Sequence, residues 1–98
     1  MILIEENLGQ LRRFYAVAVG WQSGIWGEWE TARKYIDHFP KPVRKKCNNK
    51  RDAVEFIIEE LTNRSKNTEL NPDQKETLAS CKTLVDDWER QVKRESLV

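Results

Sequence analysis

Histidine occurs once in this 98-residue chain, at His38, and no nucleophile or second base accompanies it in a triad-like arrangement. A catalytic role for His38 would need a partner base or nucleophile. Cysteine occurs twice, at Cys47 and Cys81, with no CxxC and no clustered histidine. That pattern argues against a zinc site or a disulfide framework and fits two reduced thiols. Long apolar runs are also missing. The longest uncharged stretch, Phe14 to Gly27, is interrupted by Gly20, Gln22, Ser23 and Gly24, far short of the roughly 20 apolar residues that span a bilayer. The opening MILIEENLGQLRR has no basic region ahead of a long apolar one, so it does not read as a secretory signal. These absences predict a soluble protein of the nucleus or cytoplasm, with no membrane partner, no metal and no cofactor.

Strong net charge is lacking as well, at +1, but its distribution is uneven. Residues 14–50 carry seven Lys and Arg against three Asp and Glu, whereas the segments on either side are neutral or slightly acidic. The same stretch holds three of the four tryptophans, Trp21, Trp26 and Trp29. A coincidence of cations and flat aromatics favours a polyanionic partner. The 39% hydrophobic and 34% charged content at this length suits one compact domain with an appendage.

Phe14 to Val19 alternates Tyr15, Val17 and Val19 with Phe14, Ala16 and Ala18, and β-branched and aromatic residues predict a strand. Gly20 ends it, and WQSG supplies a turn in which Gly24 can take positive φ before a second short strand begins at Ile25-Trp26. From Trp29 to Phe39 the period becomes helical, with Ala32, Ile36 and Phe39 at i, i+4 and i+7. Pro40 stops that helix. Val43, Lys45 and Cys47 then alternate with Arg44 and Lys46 in a third strand. Asn48 or Asn49 caps a second helix, whose stripe is Ala53, Phe56, Ile57 and Leu61. The expected fold class is α+β: a three-stranded antiparallel sheet covered by two helices in the order β-β-α-β-α, with an additional C-terminal helix.

The module spans 14–62, a polar linker runs over 63–71, and the last helix covers 72–95, with Asn71 as N-cap and Pro72 at the first helical position. In that helix Leu78, Cys81, Val85, Trp88 and Val92 are spaced like a coiled-coil seam, widened by Leu84. Such a helix is marginal alone and needs a surface. Docking within the chain, homodimerisation and capture of a partner helix all satisfy the seam. Residues 1–13 place Ile4, Leu8 and Leu11 on one helical face, suited to packing on the last helix.

Phe14-Tyr15-Ala16-Val17, Gly20, Gly24-Ile25-Trp26, Trp29, Asp37, Phe39-Pro40, Lys45-Lys46, and Ala53 with Phe56 form an ordered set that covers about half the chain. The set resembles the hybrid-binding module at the N-terminus of eukaryotic type 1 ribonuclease H, a family shared with caulimovirus viroplasmin. The resemblance implies binding of RNA–DNA hybrid or double-stranded RNA. Tyr15 and Trp29 would face sugar and phosphate, Lys45 and Lys46 would hold phosphates with Arg44 beside them, and backbone groups near Phe39 and Pro40 would contribute. A duplex hides its bases, so cations on phosphates and flat side chains on sugars suit the task. Nothing matches the four-carboxylate metal site of the family's nuclease domain; Glu59-Glu60 and Asp86-Asp87 read as solvated helical pairs. Binding without catalysis is the expectation.

Ala18, Val19 and Trp21 stand where the family usually carries basic residues, and Arg44 stands where it usually has an aromatic. Those changes support an alternative, a protein-interaction or dimerisation module that keeps the fold without strong nucleic-acid binding. Its contacts would be Val19, Trp21 and the seam of the last helix.

Overall fold

The computed structural model describes residues 13–96, with side chains through residue 91. The expected packing of Ile4, Leu8 and Leu11, and the side chain of Val92, fall outside the described residues. Strands β1 (Phe14–Val19), β2 (Gly24–Trp26) and β3 (Val43–Cys47) form an antiparallel sheet in the order β2-β1-β3. Helix α1 is Trp29–Arg33, α2 is Lys50–Ser65 and α3 is Pro72–Ser96. The α+β architecture with a C-terminal helix is the one anticipated.

Both faces of β1 are covered. Phe14 and Ala16 join Ile25, Cys47, Ala53, Val54, Ile57, Leu61 and Cys81 on the side of α2 and α3. Val17 joins Trp26, Ala32 and Ile36 on the side of α1. The register on β3 slips between Val17 and Val19, and a bulge of this kind breaks the two-residue alternation. As a result Ala18 and Val19 both lie in the cluster under α2. Full burial of Ile25, Ile57 and Leu61 contributes about 1.5–3 kcal/mol per side chain.

The first helix is shorter than the Trp29 to Phe39 expected. After Arg33 the chain continues as tight turns, with Tyr35 N–H donating to Ala32 O and Ile36 N–H to Arg33 O. The carbonyl of Tyr35 accepts instead from Trp21 N–H at 2.7 Å, and that of Asp37 from Trp21 Nε1 at 2.7 Å. With those acceptors taken and His38 at φ 60°, the helical ladder cannot propagate. Ala32 and Ile36 are buried as their spacing implied, but Phe39 packs on the opposite cluster.

The turn between β1 and β2 also differs. No described glycine has positive φ; Gly24 is an extended residue of β2. Gly20 is needed for closeness rather than for φ, since a Cβ there would collide with the Tyr35 carbonyl oxygen and lie 2.9 Å from Val17 Cγ1.

Both long helices have side-chain caps. Asn49, of the two asparagines in question, accepts from Asp52 N–H at 2.8 Å. At α3, Asn71 Oδ1 accepts from Gln74 N–H at 2.7 Å while Gln74 Oε1 accepts from Asn71 N–H at 3.1 Å, a reciprocal capping box. The same first turns anchor α3 on the sheet: Asp73 Oδ2 accepts from Ser23 N–H at 2.7 Å, and Thr77 Oγ1 donates to Ser23 O at 3.5 Å.

Candidate nucleic-acid interface

Antiparallel register places directly opposed residues on one face of a sheet. Tyr15 stands opposite Trp26 on one side and Lys46 on the other, while Val17 stands opposite Arg44. Tyr15, Lys46 and Arg44 therefore share the face that carries α1. Trp29, the first residue of α1, is half-buried with its ring centroid 5.5 Å from that of Tyr15, tilted by 49°. The Arg44 guanidinium lies 4.8 Å from the Trp29 ring centroid, a cation–π arrangement that holds the planar cation against the ring. Four side chains from β1, β3 and α1 thus form one surface, with the two cations exposed and the two rings half-sunk.

Tyr15 and Trp29 are neither wholly buried nor free on the surface. Both rest on the cluster of Val17, Trp26, Ala32 and Ile36, and both keep an exposed edge. Trp26 is fully structural, stacked on Tyr35 at 4.6 Å, with its buried Nε1 finding no acceptor among the described residues.

Lys45 does not join this surface. It pairs with Ala16 on the opposite face and reaches over the Phe56 ring of α2 at 6.0 Å. Alternation along Val43 to Cys47 already separated Lys45 from Arg44 and Lys46, so the sequence carried the signal. Phe39 and Pro40 sit beyond the Val19 end of β1: Phe39 is half-buried with its ring against Trp21, and Pro40 is exposed. Neither touches the Tyr15–Trp29 pair.

The residues suggested for protein contact divide three ways. Val19 is 3% exposed and belongs to the core, because the bulge turns it inward. Cys81 is completely buried, and Leu78, Val85 and Trp88 are half-buried against the same core. Docking within the chain thus occupies the described part of the seam, leaving only outer edges of Leu78, Val85 and Trp88 for another molecule. Trp21 is 60% exposed, the one exposed large hydrophobic among the described residues.

Burial pushes both thiols upward. Cys47 is raised by desolvation, partly offset by the nearby charge of Lys45, and Cys81 is pushed up to about 12 by its burial in the core that α3 covers. Neither has the lowered pKa of a nucleophilic cysteine. No group of three or more His, Cys, Asp or Glu that could hold a metal ion occurs among the described residues.

An antiparallel sheet displaying cations beside half-exposed rings has the chemistry suited to a sugar-phosphate backbone. Residues 13–57 match the family model described as the ribonuclease H1 N-terminal domain, so this module is similar to that family. The match is to the N-terminal domain of ribonuclease H1 and not to its catalytic one, and nucleic-acid binding is the property of the family. The end of α2 and all of α3 lie outside it. No curated protein and no solved structure gives a significant match to the chain.

Proposed function

We propose that the chain is a non-catalytic module that binds RNA–DNA hybrid, or double-stranded RNA, through its sugar-phosphate backbone. The observation that supports this most directly is the convergence of Tyr15, Trp29, Arg44 and Lys46 on one face. In this reading Arg44 and Lys46 contact phosphates across a groove, and the exposed edges of Tyr15 and Trp29 lie against sugars. The rings need little ordering on binding, because the core already fixes them. Arg44 replaces a flat contact with a planar cation that can do both jobs, since a guanidinium stacks and also forks onto phosphate.

The test is titration of labelled RNA–DNA hybrid, RNA duplex and DNA duplex with the parent chain, Arg44→Ala/Lys46→Ala and Lys45→Ala. Hybrid or RNA duplex should bind more tightly than DNA duplex. The double variant should lose at least about tenfold, two phosphate contacts being removed, while Lys45→Ala changes little. Equal binding by the parent and the double variant, or no binding of any duplex, would sink the proposal.

A further inference from the structure

Trp21 is left out of the duplex-binding face just described. Its indole is more than half exposed, yet three contacts fix it: the backbone N–H bond to Tyr35 O, the Nε1 bond to Asp37 O, and an edge-on contact with Phe39 at 5.0 Å and 89°. Exposed tryptophans normally lose entropy when a ligand orders them, and this one is ordered in advance. The turn that holds it is rigid in a costly way, with His38 at φ 60° and Lys41 at φ 54°, conformations that β-carbon-bearing residues adopt only where the surroundings impose them.

The turn that supplies these partners also carries two exposed lysines, Lys34 beside Tyr35 and Lys41 two residues after Phe39. The one carboxylate in the turn, Asp37, is engaged by Arg33 at 3.4 Å. No other large hydrophobic is exposed among the described residues, so Trp21 is not part of an extended apolar patch of the kind that marks a protein contact. A fixed aromatic face among lysines is instead the arrangement on which unpaired bases stack while their phosphates are neutralised. Trp21 lies just after β1, six residues along the chain from Tyr15 and so at most roughly 22 Å from it.

We propose that Trp21 is a stacking platform for an unpaired base, so that the module prefers a hybrid duplex ending in a single-stranded overhang. The duplex occupies Tyr15, Trp29, Arg44 and Lys46, and the overhang runs past Lys41 to Trp21. This rests on the proposed function for the duplex part, but its recognition element is separate.

The experiment compares a blunt hybrid, the same hybrid with an overhang of about eight nucleotides on either strand, and the same overhang made abasic, by fluorescence anisotropy at one salt concentration. The parent, Trp21→Ala and Trp21→Phe are titrated with each probe, and circular dichroism reports their folding. The base-bearing overhang should tighten parental binding by about tenfold, within the range of one stacked base. The abasic overhang should give much less, Trp21→Ala should lose the gain while keeping blunt-hybrid affinity, and Trp21→Phe should keep part of it. An abasic overhang as effective as the base-bearing one overturns the proposal, as does a folded Trp21→Ala variant that retains the gain. If Trp21→Ala does not fold, the abasic comparison and Trp21→Phe decide. Blunt binding without an overhang gain overturns this inference alone. If no hybrid binds, the duplex reading fails; an isolated single strand bound by the parent, more weakly by Trp21→Phe and not by Trp21→Ala still supports the platform. Failure of the single strand too overturns both and leaves Trp21 to a protein partner.

Discussion

Gly20 and Trp21 act as a pair. The absence of a side chain at residue 20 lets the backbone approach the Tyr35 carbonyl, and that approach puts Trp21 in bonding reach of residues 35 and 37. Gly20→Ala forces a methyl against a carbonyl oxygen and Val17, neither of them the flexible end of a side chain, so it should destabilise the fold by about 1–3 kcal/mol in urea denaturation. Trp21 emission should change in the same variant, because the turn must move. Cys81 gives a residue-scale prediction of a different kind. Its thiol stays protonated in the fold up to about 12, against an ordinary value of 9.0. Between those values the unfolded chain releases a proton that the folded chain retains, so stability is full below pH 9 and falls as pH rises toward 12. One proton corresponds to about 1.4 kcal/mol per pH unit across that window. Urea midpoints measured from pH 8 to 10.5 should decline in the parent and decline less steeply in Cys81→Ala. A parallel decline in both would show that Cys81 does not carry the effect.

Helix α3 lies outside the family match yet completes the core. It covers α2, buries Cys81 and anchors its first turn to Ser23 in the β1–β2 turn. Removing residues 72–98 would take Cys81 out of the core together with the packing of Leu78, Leu84, Val85 and Trp88 against it, and the remaining chain should lose cooperative unfolding, as judged by calorimetry. Asn71→Ala removes one half of the capping box and should lower stability by about 1 kcal/mol. The existence and type of every described element were legible in the sequence because each has its own period: two along Phe14 to Val19, and near 3.6 through α2 and α3. The asparagine caps were legible for a similar local reason. The end of α1 was not, because it depends on Trp21, which sits eight residues ahead of the helix and captures its acceptors. Val19 was misread because a bulge is a property of the pairing with β3, not of β1 alone. Of the proposed binding face, Tyr15, Trp29, Arg44 and Lys46 were legible as residues and the separation of Lys45 was legible in the strand alternation, whereas the fixation of Trp21 required tertiary hydrogen bonds.

At the scale of the whole molecule, the net charge of +1 gives little long-range attraction for a polyanion. Affinity must then come from the local face, where Arg44 and Lys46 are the cations placed beside the rings. That sets a limit on the salt dependence. Each phosphate neutralised contributes a slope of about −0.9 in log K against log salt, so two give about −1.8, or roughly tenfold weaker binding between 50 and 200 mM salt. Contacts by the tyrosine and tryptophan edges are not screened in this way and should persist as a salt-insensitive remainder. Titrations of the hybrid across that range should give a slope near −2 for the parent and near zero for Arg44→Ala/Lys46→Ala, with Lys45→Ala resembling the parent. Trp29→Ala should instead lower affinity equally at every salt concentration. A parental slope of −4 or steeper would mean that cations beyond this face, such as Lys34 and Lys41, already contact the blunt duplex. The binding surface would then extend around the turn that holds Trp21 even when no single strand is present.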